Sequence, residues 1–128
     1  MEQNTHLKIE SSLCGEVVSI AEGSARVRLV TTAQMAADEE GLIHGGFLFG
    51  AADFAAMCAV NEPNVVLAGS ECRFSAPSRV GDVIDFEARV TERDGHKARV
   101  EVTGRSGAKS VFTGGFRTVV TKVHVLKM

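Results

Sequence analysis

The stretch IHGGFLFGAADFAAMCAVN, residues 43–61, constrains the fold more than any other part of the chain. From Gly46 to Val60 its only ionisable groups are Asp53 and Cys58. Ala, Leu and Met favour helix, and Asn61 followed by Pro63 supplies a stop. The pattern predicts one helix over 46–60, apolar around nearly its whole circumference. Such a helix has to be covered on every side. One sheet covers part of it only, so a second copy of the chain is expected over the rest, in a two-fold homodimer. A sheet edge pairing across the two-fold would also protect an otherwise exposed strand. A lone carboxylate inside this helix is costly unless something satisfies it.

A chain of 128 residues suits one domain, with 1–11 expected as a loosely ordered N-terminus. Hydrophobic residues at 45% and charged residues at 23% exclude an intrinsically disordered chain. The net charge of -2, with acids and bases interspersed, argues against a nucleic-acid partner. Cys14, Cys58 and Cys72 form no CxxC pair, which opposes a disulfide framework and a zinc site. No two histidines share ligand spacing, so no metal is expected; His6, His96 and His124 read as surface residues. The N-terminus lacks the pattern of a signal peptide, and no apolar run suits a membrane helix. A cytoplasmic location without membrane contact is the expectation.

The rest of the chain reads as strands. GEVVSI, a turn at EG, and the alternating SARVRLV predict a hairpin over 15–30. TTAQMAADEEG, 31–41, reads as a loop with at most one helical turn. VVLAGSECRFSA predicts a strand bent at Gly69, and VIDFEARVTE alternates well. Asp94-Gly95 signals a tight hairpin into HKARVEVTGRS, and KSVFTGGFRTVVTKVHV follows a turn at Gly107. One long helix with a largely antiparallel sheet gives an α+β fold, the helix packed on a curved sheet.

Two motifs carry a family likeness. HGGFLFGAADFA places Asp53 nine residues after His44, and RFSAPSRVGD runs into a long strand. Over roughly residues 12–120 the chain resembles the hotdog-fold thioesterases, and within them the PaaI-like acyl-CoA thioesterase group. The resemblance implies a central helix wrapped by an antiparallel sheet. It also implies dimers with a continuous sheet, often dimers of dimers (homotetramers), and hydrolysis of acyl-CoA thioesters at the dimer interface. No separate cofactor is implied, CoA being part of the substrate.

The residues suit that chemistry. A carboxylate in a partly dry pocket acts as general base on water or as nucleophile on the carbonyl, and both roles stay open for Asp53. The first amides of a helix lack intrahelical acceptors and lie at its positive end. At Gly45 and Gly46 they suit the oxyanion that forms on attack, and by the resemblance the donor is Gly46 or its neighbour. Gly46 and Asp53 are two turns apart on one face, about 10 Å along the axis. One helix therefore cannot offer both to one carbonyl, whereas two antiparallel helices about a two-fold axis can. Gly50 lies between them and leaves room for an acyl chain or the facing helix. Phe47, Phe54 and Met57 are candidate acyl-chain contacts or plain core.

Several residues keep more than one reading. His44 suits a base, a phosphate contact or part of the turn. Arg73, Arg79, Lys97 and Arg99 are candidate CoA phosphate contacts or solvated strand charges. Cys58 and Cys72 read as packing. The loop before His44 departs from the family pattern of an Asn or Gln there: Gln34 is a candidate, but the position nearest the expected one holds Asp38 or Glu39, with Glu40 following. That acidic loop keeps a non-catalytic acyl-CoA-binding regulator or scaffold as a rival. A hydratase or dehydratase of hydroxyacyl thioesters with His44 as base is the second.

Overall fold

The computed structural model describes residues 1–128. The chain runs through a four-residue helix α1 (Ser11–Cys14), β1 (Glu16–Ala21), β2 (Ser24–Val30) and a 3-10 turn (Ala33–Met35). The long helix α2 (Gly45–Val60) comes next, then β3 (Val65–Phe74), β4 (Val83–Asp94), β5 (Lys97–Ser106) and β6 (Lys109–Val120). A last 3-10 turn covers Val125–Lys127. The helix begins one residue before the expected 46, and each expected strand is present.

The six strands form one antiparallel sheet in the order β1-β2-β4-β5-β6-β3. It curves around α2, which touches all six strands. Alternation decides the faces. Ala25, Val27 and Leu29 of β2 and Ile84, Phe86 and Ala88 of β4 turn inward and are buried. Between them Arg26 pairs with Glu87 and Arg28 with Asp85 on the outer face, at directly opposed positions. These exposed, solvent-screened pairs add little stability. Their value is in register, because a one-residue slip would put charge on the core face. The expected bend in β3 is a register shift between Leu67 and Gly69.

Some of residues 1–11 contact the end of the long helix. Asn61, the C-cap of α2, sits in the left-handed region at φ 56 and ψ 37. Its buried side chain accepts from the Asn4 amide at 2.7 Å and donates to the Glu2 carbonyl at 2.8 Å. Thr5 is buried, and the His6 ring lies 6.2 Å from the Phe54 ring. His6 is therefore half-buried rather than on the surface, and burial lowers its pKa. The segment thus covers the C-terminal half of α2. Asn61→Ala should lose both bonds and strain the cap, costing about 3 kcal/mol. Urea unfolding measures that loss, and limited proteolysis should show cleavage within the first ten residues.

Candidate active site

The burial of α2 is uneven along its length. Every residue from Phe54 to Val60 is buried, as are Leu48, Ala51 and Ala52. Gly45, Gly46, Phe47, Phe49, Gly50 and Asp53 are not. Gly46, Gly50 and Asp53 follow one another at helical spacing and form an uncovered stripe over the first two turns. Phe49 borders it, its ring 5.6 Å from Phe116. The sheet, α1 and part of the N-terminal segment pack against the buried residues of α2. Of the expected acyl contacts, Phe47 and Gly50 lie on the open half, whereas Phe54 and Met57 lie in the core.

Asp53 ends the stripe. Its Oδ1 is buried and has no hydrogen-bond partner in the chain. Burial disfavours the charged form and pushes its pKa up to about 6. Cys14, on α1, sits close enough for the Asp53 charge to add to the burial that raises the thiol's pKa, with a smaller contribution from Glu10. No local pattern marks Cys14 in the sequence, because the contact joins two helices through the fold. Cys58 is buried and pushed up to about 12 by desolvation, which leaves it a protonated packing residue.

The other end of the stripe is the start of the helix. His44 is the N-cap by position, with φ -65 and ψ 129, and its side chain makes no capping bond. The amides of Gly45 and Gly46 have no acceptor within the chain. Both glycines are crowded by rings. A methyl group on Gly46 would stand 3.0 Å from His44 Nε2, and one on Gly45 would stand 3.3 Å from Phe74 Cε1. The residue type at each position follows from these approaches as much as from any ligand. Gly50 has nothing within 4 Å of such a methyl group, so the middle of the stripe is open space.

The preceding loop is tied down to this helix start. The His44 amide donates to the Met35 carbonyl and the Ile43 amide to the Ser78 carbonyl, at 3.0 and 2.9 Å. Gln34 is exposed on the same 3-10 turn as Met35 and makes no side-chain hydrogen bond. Ala36 and Ile43 pair across a small hairpin that carries Asp38, Glu39 and Glu40 at its tip. Asp38 Oδ1 accepts from the amides of Glu40 and Leu42 at 3.0 and 3.2 Å. Asp38 thus serves the turn, which gives a conformational reason for an acid there.

Among the cationic candidates, Arg99 is engaged with Glu71 and Glu101 on the outer face of the sheet. Arg73, Arg79 and Lys97 make no ion pair. Arg79 is the one linked to the helix-start loop, through the bridge between Leu42 and Arg79. No helix in the chain is long and apolar enough to cross a membrane.

The model of the Thioesterase superfamily matches residues 40–112, which include the helix start, the stripe and strands β3 to β5. The chain belongs to the thioesterase superfamily. Its hotdog fold is shared closely with uncharacterized protein PH1136 from Pyrococcus horikoshii. That likeness has 46% identity and a TM-score of 0.97 over 98% of this chain and 97% of the other. The PaaI protein of the phenylacetic acid degradation operon of E. coli is 26% identical, with a TM-score of 0.77 over 85% of each chain. Among curated proteins, a methylthioribose-1-phosphate isomerase of Aquifex aeolicus is 51% identical over 119 residues. Those residues are 93% of this thioesterase-superfamily chain but 26% of that protein, so the chain spans about a quarter of its length. The superfamily membership and the PaaI likeness agree with the motifs around His44, Asp53 and Phe74.

Proposed function

We propose that the chain is an acyl-CoA thioesterase whose site forms between two subunits. One observation carries the reading. A carboxylate with one buried, unpartnered oxygen and the acceptor-free Gly46 amide lie on one stripe, two helical turns apart, with the equally free Gly45 amide beside it. Each lacks what a thioester and a water would supply. Two copies packed stripe to stripe, with helices antiparallel, bring Gly46 of one subunit to Asp53 of the other. The same packing covers the exposed half of α2. The ten-residue β3, a sheet edge, is available for pairing across the two-fold.

In the general-base route the Asp53 carboxylate takes a proton from water as the water oxygen bonds to the thioester carbon. The carbonyl oxygen becomes an oxyanion held by the Gly46 amide. Collapse breaks the C–S bond, and the thiolate leaves with the proton from Asp53. In the nucleophile route Asp53 attacks the carbon, the thiolate leaves, and water cleaves the resulting anhydride. Both give a carboxylic acid and a free thiol. Label in Asp53 after single turnover in heavy-oxygen water marks the second route with water attacking the aspartyl carbon of the anhydride.

The deciding measurement is thiol release from a panel of acyl-CoAs by the wild-type chain. Release supports the proposal. Tight CoA-thioester binding without release favours the acyl-CoA-binding regulator. Loss of enoyl absorbance without free thiol favours the hydratase.

A further inference from the structure

Phe74 is the last residue of β3 and half of its surface is exposed, at 50%. It is not loose. Its ring meets that of the buried Phe112 edge-on, with centroids 5.3 Å apart and planes at 80°, and the two residues are register partners across β3 and β6. One edge of the ring rests on Gly45: a methyl group there would stand 3.3, 3.6 and 3.7 Å from Cε1, Cδ1 and Cζ. The next glycine meets a second ring: a methyl group on Gly46 would stand 3.0 Å from Nε2 and 3.1 Å from Cδ2 of His44. The helix start that carries the two unpartnered amides is thus flanked by an anchored phenyl ring at Gly45 and an imidazole at Gly46.

We propose that Phe74 is a positioning wall for the thioester, building on the thioesterase reading above. Its exposed half keeps water from one side of the Gly45–Gly46 amides and presses the carbonyl group against them. An amide facing bulk water is already solvated and gains little from an oxyanion. An amide walled from water gains more, because the local dielectric is lower and no solvent has to reorganise. Gly45 is then required by Phe74 rather than by the substrate. Any larger residue at 45 displaces the ring from the amides it shields.

The test uses the full-length chain and reads kcat and KM separately. Phe74→Ala should lower kcat about tenfold with KM nearly unchanged, whatever the acyl length. Phe74→Leu, still apolar, should restore most of that loss. Gly45→Ala should lower kcat in the wild-type background and have little further effect in Phe74→Ala, because the ring it displaces is gone. A trifluoromethyl ketone analogue, which forms an oxyanion-like adduct, should bind about tenfold more weakly to Phe74→Ala. A non-hydrolysable CoA thioether should bind as before. A rise in KM at constant kcat, or additive losses in the Gly45 and Phe74 variants, would overturn the proposal. So would loss of folding or of self-association in both the Ala and Leu variants. Wild-type hydrolysis with a fully active Phe74→Ala overturns this inference alone, whereas no hydrolysis by the wild type overturns the thioesterase reading and this one with it.

Discussion

Asp53→Asn should lower thioester hydrolysis by a factor of about 1,000 or more while CoA-thioester binding changes little. Asparagine keeps the size of the side chain and can still accept a hydrogen bond. It can neither take a proton from water nor attack a carbonyl carbon. The pH profile of the wild type should carry the same group. With its pKa pushed up to about 6, Asp53 is an anion above that pH and neutral below it. Activity that needs the anion rises through pH 6 and is lost on acidification. Stability should move the other way. The unfolded carboxyl titrates near its ordinary 3.8 and the folded one near about 6. Between those values the folded chain binds more protons, so stability falls as pH rises through that window. The shift corresponds to at most ~3 kcal/mol at neutral pH in the isolated chain. Asp53→Asn should therefore melt higher than wild type at pH 7 and similarly at pH 4. Equal thiol release by the Asn variant, or a rate that is flat from pH 5 to 8, would remove Asp53 from the reaction.

The second large effect concerns two variants that are inactive alone. Gly46→Pro deletes the amide proton in the first turn of α2, where no intrahelical bond is lost, and its ring pushes aside the exposed His44 side chain that a Cβ there meets at 3.0 Å. Loss of one oxyanion donor costs about 100- to 1,000-fold in kcat. If each site takes Gly46 from one subunit and Asp53 from the other, a mixed dimer of Gly46→Pro and Asp53→Asn holds one site with both defects and one with none. Random exchange then restores about a quarter of wild-type activity, from half of the dimers carrying one intact site each. If both groups came from one subunit, mixing would restore nothing. Refolding the two variants together, then separately, and assaying each sample decides between the arrangements.

The features legible in the sequence are those written in local periodicity. Alternation at Ala25, Val27 and Leu29 marked β2, and the unbroken apolar run marked α2 to within a residue. Asp53 stood out because nothing around it in the chain could satisfy it, and its buried Oδ1 has no partner. The features that were not legible depend on contacts between distant segments. Asn61 reads as a helix stop, yet its side chain also anchors residues 57 and 59 positions away. The bonds of Glu2 and Asn4 leave no local pattern because they are made with another part of the chain. Phe74 was visible as part of a motif, but its place beside Gly45 depends on the β3–β6 register. The short α1 has too few residues to show a period, and so Cys14 gave no sign of lying near Asp53.

The division of α2 at Asp53 has a consequence for how substitutions should be scored. From Phe54 onward the helix is buried, so replacements there should reduce the amount of folded protein in a cell. On the open stripe, small changes at Gly46 or Asp53 should leave abundance intact, or even raise it, while turnover collapses. A saturation library measured twice, once for cellular level and once for thiol production, should therefore give two maps that diverge along Gly46, Gly50 and Asp53 and agree at the buried Leu48, Ala51 and Ala52 and from Phe54 onward.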